Sequence, residues 1–323
     1  MPHAIRVHET GGPAVLRWEQ VEVGEPGPGQ VRIRQEAVGL NFIDVYHRTG
    51  LYKQDLPFTP GVEGAGIVEA VGSGVSGLEP GDRVAYGGPI GGYAEVRLIP
   101  ADRVVKLPDA ISSEQAAAMM LQGMTAEMLL RRVYPVKSGD TILVHAAAGG
   151  VGLILCQWAK ALGATVIGTV GSDEKAELVR AHGCDHPIVY TRQDFVAEVE
   201  RITAGAKVPV VYDGVGRDTF MKSLDCLARR GMMVSYGNAS GPVDPFPATI
   251  LALKGSLFLT RQTLYDYVLD RADLEQSAQA LFDVVASGKV KIEVKQRFAL
   301  KDAAEAHHAL EARKTSGSTI LTV

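Results

Sequence analysis

A short apolar run, Thr141 to His145, passes directly into the small-residue turn Ala146 to Gly152 and then into residues of helical character. Ala147, Gly149 and Gly152 occupy the three special positions of a GxGxxG-like fingerprint, in which the backbone bends tightly and the first helical amides face a phosphate group. That is where a dinucleotide pyrophosphate sits. Taken alone, the same spacing equally describes a plain turn between strand and helix, so the surrounding residues decide.

The next apolar run ends Thr169, Val170, Gly171, Ser172. A dinucleotide fold that prefers NAD normally carries Asp or Glu here to accept hydrogen bonds from the adenosine ribose hydroxyls. Gly171 and Ser172 leave space instead, and Lys175 offers a cation to a 2′-phosphate, which favours NADPH. Tyr190, closing the third run, flanks the same place with an aromatic ring and a hydroxyl. Asp173 and Glu174 fall in the first turn of the following helix, where the helix dipole accounts for acids. His145, one residue ahead of the turn, lies beneath the phosphates rather than beside a reacting carbon. We expect it to be buried and bonded to backbone, not a base.

From Thr141 onward, apolar runs alternate with helical segments, as in βαβ units on a parallel sheet. The expected strands are 141–145, 165–170, 186–190, 208–213, 232–236 and 256–260, with helices at 150–162, 173–182, 192–203 and 217–229. Residues 1 to about 108 are rich in Gly, Pro and short alternating runs such as 30–38 and 64–71, which predicts an all-β region. Between Ser112 and Tyr134 the pattern turns helical, with a capping box from Ser112 and Gln115, and two helices are expected to bridge the domains. After Thr263 come helical segments at 274–287 and 301–312 and a last strand at 318–323. This tail is too short for a domain and is expected to complete the first core.

The 323 residues are 46% hydrophobic, enough for a large core, and the net charge of −4 with mixed signs argues against a polyanion-binding face, so nucleic acid is not an expected partner. No uninterrupted apolar stretch of 18 residues occurs and the N-terminus has no leader pattern, so no membrane span and a cytoplasmic location are expected. Cys156, Cys184 and Cys226 are too widely spaced for a disulfide framework or a zinc motif and read as packing residues.

Several segments together resemble the medium-chain dehydrogenase/reductase superfamily, in its zinc-independent quinone oxidoreductase branch related to ζ-crystallin. They are Asn41 to Asp44, Arg48 to Tyr52, Gly61 to Gly66, Gly81 to Val84, Ala146 to Gly152 and Tyr212 to Gly216. The resemblance spans essentially the whole chain. It implies an α/β chain with a GroES-like β-rich catalytic domain at 1–122, completed by 263–323, and a doubly wound parallel-sheet Rossmann domain at 123–262, with NADPH in the cleft between them. Zinc-dependent relatives carry a cysteine near the position of Asn41 and a histidine at that of Val62. They also have a run of four close cysteines, and this chain has none of these ligands.

The resemblance places Asn41, Phe42 and Tyr46 beside the nicotinamide, with Thr125 and Met128 close to it. It puts Gly150 and Val151 on the pyrophosphate, and Gly171, Ser172, Lys175 and Tyr190 on the phosphorylated adenosine end. Val215, Tyr236, Gly237 and Asn238 follow strands at the ligand crevice, Phe258, Leu259 and Thr260 approach the carboxamide, and Arg313 in the tail is carried over as a further contact. Without a metal or a flavin-binding signature, direct hydride transfer to an electron-poor conjugated acceptor is the expected chemistry. Such acceptors delocalise the developing charge and need only a modest hydrogen-bond donor. Asn41, Tyr46 and Tyr52 are the candidate catalytic donors, Tyr52 serving equally as an aromatic wall. Quinones, activated alkenes such as enones or haloacrylates, and a cofactor-stabilised binding role with little turnover all stay open. The resemblance also implies a homodimer through an exposed sixth strand.

Overall fold

The computed structural model describes residues 1–323, which divide into two compact units. The first comprises Met1–Met124, Val268–Ala286 and Ile292–Val323, and the second Thr125–Tyr267 and Ser287–Lys291.

Alternation of side chains builds the first unit. In the strand Gln30–Gly39, Val31 and Ile33 are fully buried while Arg32 and Arg34 point outward, as the two-residue period of a half-buried strand requires. This strand pairs antiparallel with Glu63–Val71, Val96–Pro100 and Ser318–Thr322. Arg83–Gly87 and Val105–Lys106 extend the sheet on one side, and Val294–Ala299 joins Ser318–Thr322 in parallel on the other. The strand at Val294–Ala299 departs from the sequence expectation. Its alternation is weak, and it is made by its partner strand rather than by its own pattern.

A second small sheet pairs His3–Val7 with Leu16–Gln20. Ile5, Val7, Val38, Leu40, Phe58 and Leu321 pack with the helix Ala303–Glu311 into one core cluster, and Val31, Ile33, Val68, Val84 and Ile99 form another.

The second unit is a six-stranded parallel sheet. Numbered in chain order from Thr141–Val144, its strands lie 3-2-1-4-5-6, the doubly wound arrangement. The order reverses beside Thr141–Val144, so the loops after this strand and after Val208–Asp213 flank the topological switch point. Helices cover the sheet through apolar stripes, as with Phe195, Val196, Val199 and Ile202 at helical spacing in Phe195–Ile202.

Three elements of the second unit depart most from expectation. The helix expected over 217–229 is only Phe220–Cys226, because the buried Asp213 carboxylate holds the preceding loop. It accepts the N–H groups of Val215 and Gly216 at 2.8 and 3.1 Å and the Thr219 hydroxyl at 2.7 Å. The strand that follows begins at Leu227 rather than 232 and is kinked at Arg230, whose φ is 62°. The last strand shrinks to Phe258–Thr260, since Gly255 and Ser256 both take left-handed backbone. The expected capping box is present at Ser112 and Gln115, and two helices follow, Ser113–Ala117 and Met120–Glu127, the second continuing as a π-helical turn over Met128–Val133.

Candidate active site

In the second unit, the strand Thr141–Val144 delivers the chain to Ala146, which is left-handed at φ 52°, and then to the helix Gly150–Ala161. Gly149 is the N-cap and supplies no side chain to the first turn, and Gly150 and Val151 keep part of their surface accessible. Their amides carry the positive end of a 12-residue helix. A Cβ on Gly152 would stand 2.4 Å from the Ala146 carbonyl oxygen, so this tight return of the turn onto the helix admits only glycine. The donor set fits a pyrophosphate.

The residues expected at the adenosine end also gather. Ser172 caps the helix Asp173–Ala181 by accepting the Lys175 N–H at 3.3 Å, and a Cβ on Gly171 would lie 3.0 Å from the Tyr190 hydroxyl. Asp173 is not an open carboxylate, for it forms a forked pair with Arg192, one arm at 2.6 Å. Arg192 is therefore a second cation at this corner that the sequence reading missed, its signal being only its position two residues after Tyr190.

At the switch point, the Tyr236 N–H reaches the Asp213 carbonyl at 2.9 Å and the Ser240 N–H reaches that of Val215 at 2.8 Å, which brings Val215 and the 236–240 loop together. Phe258 and Leu259 are exposed on the edge strand with Thr260 half-buried, Thr125 is half-buried, and Met128 is buried.

His145 is buried but its partners are not backbone, contrary to expectation. Nδ1 lies 2.9 Å from the Thr169 hydroxyl and Nε2 2.9 Å from that of Ser223, which in turn faces Asp213 at 3.3 Å. Burial holds the ring neutral. It ties two strands to the helix Phe220–Cys226.

In the first unit, the helix Phe42–Thr49 starts at Asn41, whose N–H donates to the Asp44 carboxylate at 2.9 Å. One turn of spacing sets Phe42 beside Tyr46, ring centroids 6.0 Å apart, and Tyr52 meets Tyr46 edge-on at 5.2 Å. Phe42, Tyr46 and Tyr52 thus form one aromatic cluster, and Asn41 adjoins it as the residue at the start of the helix. Arg313 is exposed, in left-handed backbone just beyond the helix Ala303–Glu311.

Two buried hydrogen-bond chains converge on Asn41, and neither was foreseen. The Arg48 guanidinium, 1% exposed, grips Glu311 at 2.8 and 2.9 Å and reaches His307 Nδ1 at 3.2 Å. Arg48 can only donate, so His307 Nδ1 accepts and Nε2 carries the proton. Nε2 faces the Tyr93 hydroxyl at 3.1 Å, and that hydroxyl donates to Asp44 at 3.0 Å. His307 is therefore a fully buried member of a network, while His308 beside it is exposed.

On the other side, Asn41 Nδ2 donates to Glu63 Oε2 at 2.6 Å, and Leu121 N–H donates to Glu63 Oε1 at 2.8 Å. Burial pushes the Glu63 carboxyl up to about 8 and that of Asp44 up to about 7, against the pull of these donors. The only sequence signal for Glu63 is an acid inside the small-residue run Gly61 to Gly66.

Burial lowers His307 to about 3 from 6.5. Between those values the unfolded chain holds a proton that the native ring refuses, so the stability this group contributes is present above 6.5 and is lost as pH falls toward 3. Asp44 and Glu63 have the opposite slope in that range, so we compare variants rather than read the whole curve. His307→Gln, which keeps an acceptor toward Arg48 and a donor toward Tyr93, is expected to lose less stability than the parent between pH 7 and 4.5. Urea midpoints at the two pH values check this, and equal losses would contradict it.

A β-rich GroES-like unit and a doubly wound nucleotide-binding unit on one chain define the medium-chain dehydrogenase/reductase class. The alcohol dehydrogenase GroES-like domain model matches residues 27–109 and the zinc-binding dehydrogenase model matches residues 150–286. A quinone oxidoreductase of Pseudomonas aeruginosa is 52% identical, covering 99% of each chain, and a 2-haloacrylate reductase of a Burkholderia species is 46% identical with the same coverage. The crystal structure of Escherichia coli quinone oxidoreductase complexed with NADPH superposes with a TM-score of 0.98 at 48% identity, covering 99% of this chain and all of that one. The chain belongs to the quinone oxidoreductase family of the medium-chain dehydrogenase/reductase superfamily.

The zinc implied by the name of the matching domain model does not fit these residues. No group of three or more His, Cys, Asp or Glu side chains is placed to hold a metal ion. Near Asn41 the two carboxylates, Glu63 and Asp44, are buried and accept N–H and hydroxyl donors, and the three cysteines are free and buried.

Proposed function

We propose that the chain is an NADPH:quinone oxidoreductase that reduces quinones without a metal ion. The observation that carries the reading is the adenosine corner, where Gly171, Ser172, Lys175 and Tyr190 meet at the end of a parallel strand that offers no carboxylate to a ribose. Likeness to an NADPH-complexed quinone oxidoreductase over the full length supports it. When bound, the reduced nicotinamide supplies a hydride from C4. The amides of Gly150 and Val151 hold the pyrophosphate, Lys175 the 2′-phosphate, and Val215, Tyr236, Gly237, Asn238, Phe258, Leu259 and Thr260 line the switch-point end of the dinucleotide. Thr125, Met128 and Arg313 complete its contacts. Phe42, Tyr46 and Tyr52 offer flat apolar surface to a planar acceptor, and the Asn41 amide donates to the oxygen on which charge develops.

Likeness to the 2-haloacrylate reductase favours a second reading, reduction of activated alkenes by the same residues. Steady-state rates with 1,4-benzoquinone, 9,10-phenanthrenequinone and small enones separate the two. A preference for enones beyond about tenfold would reverse the ranking, since that is about 1.4 kcal/mol in the barrier.

The outer edge of Phe258–Thr260 is the unpaired end of the six-stranded sheet, with Phe258 58% exposed. We propose that it pairs with a second copy across a two-fold axis, which relieves an open strand edge. Light scattering should return twice the chain mass, and a monomer would remove the proposal. No helix is long and apolar enough to cross a membrane. Free buried cysteines agree with a reducing cytoplasmic setting.

A further inference from the structure

The Asn41 amide is held by a run of hydrogen bonds whose direction is set at the Glu63 end, where the ionised carboxylate can only accept. Ser318, on the strand Ser318–Thr322, donates its hydroxyl to Gln122 Oε1 at 2.8 Å. The Gln122 nitrogen is turned toward Asn41 and donates to Oδ1 at 3.1 Å. Asn41 Nδ2 then donates to Glu63 at 2.6 Å, whose other oxygen takes the Leu121 N–H. Asn41, Glu63 and Gln122 are 7%, 0% and 5% exposed, so water does not substitute for any link. Gly39 makes room for the arrangement, for a Cβ there would stand 2.3 Å from Glu63 Oε2 and 2.3 Å from the Ala117 carbonyl.

We propose that Glu63, Gln122 and Ser318 are positioning residues for the reaction, which lock the Asn41 side chain with its nitrogen toward Glu63 and so leave one N–H directed at the acceptor oxygen. This rests on Asn41 being the donor. A reversed amide would satisfy packing equally, because nitrogen and oxygen have nearly the same size; only the polarity of the chain distinguishes the two orientations.

That symmetry supplies the test. Glu63→Gln alone is satisfied only if the Asn41 and Gln122 amides both turn over and Ser318 accepts from Gln122, whereas Gln122→Glu alone sets an acceptor against Asn41 Oδ1. Both should lower kcat, and Gln122→Glu should lower Tm as well. In the double variant E63Q/Q122E, every link is satisfied again with the Asn41 amide turned over. At about pH 8.5, where the Glu63 carboxyl is mostly ionised in the parent, we expect the double variant to regain a Tm within about 2 °C of the parent. Its kcat should stay at least about tenfold low.

Recovery of both would show that orientation is immaterial and overturn the proposal. Recovery of neither would overturn the direction assigned to the chain. Ser318→Ala leaves Gln122 Oε1 without its partner in the interior, so it should lower Tm and also cost kcat about threefold or more, and an unchanged kcat would also count against the proposal. The donor assignment itself is tested separately. An Asn41→Ala variant with near-parental kcat sinks that assignment, whereas a large loss there combined with full recovery in the double variant sinks only the positioning role.

Discussion

Lys175→Ala is expected to weaken NADPH binding about 10- to 100-fold while changing NADH binding less than about threefold, since a charge-assisted hydrogen bond contributes about 1.5–3 kcal/mol. The helix Asp173–Ala181 presents Lys175 one turn in from its Ser172 cap, where the positive helix end adds to the side-chain charge. Two effects bound the size of the loss. Arg192 stands at the same corner and neutralises Asp173, so removal of Lys175 does not leave the phosphate facing an uncompensated acid. The corner is also open to solvent, so salt screens the interaction within a Debye length of about 10 Å at 0.1 M, and the contrast should shrink as ionic strength rises. Fluorescence titrations of both coenzymes at two salt concentrations measure this. Equal weakening of both coenzymes, or none of NADPH, would contradict the assignment of Lys175.

The parts of this molecule that were legible in the sequence are those whose causes are local. The second unit shows itself in runs such as Thr165–Val170, too apolar for a one-faced strand and separated by helical segments, which is how a strand covered on both faces reads. Ser112 and Gln115 announce their helix because both halves of the cap lie within four residues. What failed depended on hydrogen-bond partners that no hydrophobic pattern records. The strand Val294–Ala299 exists because Ser318–Thr322 accepts it, and the helix after Asp213 is delayed because one carboxylate gathers four donors from its own loop and helix.

The site divides in the same way. The small-residue turn between the strand Thr141–Val144 and the helix Gly150–Ala161 is a local motif and is legible from spacing. His307 and Arg48, by contrast, are 259 residues apart, and Asn41 and Gln122 are 81 apart, so no window on the sequence reveals that these polar groups find one another in the interior. Buried histidines are especially opaque. His145 and His307 both have each ring nitrogen engaged, by side chains that no sequence window contains.

The convergence of both buried chains on Asn41 sets the second large expectation, that Asn41→Ala lowers kcat and kcat/KM for quinones together by about 10- to 100-fold. Loss of a single oxyanion donor ordinarily costs about 10²- to 10³-fold in kcat, and a conjugated acceptor that spreads its charge belongs at the lower end of that scale. The substitution has a second consequence, because Glu63 Oε2 and Gln122 Nε2 lose their partner in the interior. Each such orphan costs about 1–3 kcal/mol, so Tm should fall as well. Rates are therefore to be measured at saturating NADPH and quinone, well below the variant's own unfolding, where a folding defect reduces the active fraction but not the rate per active site. Tyr46→Phe and Tyr52→Phe provide the comparison. Each keeps its ring in the aromatic cluster and loses only a hydroxyl, so each should cost less than about fivefold if Asn41 is the donor. A kcat within about threefold of the parent for Asn41→Ala, with the large loss appearing in Tyr52→Phe instead, would move the donor role to Tyr52 and leave the buried chains around Asn41 with a structural task alone.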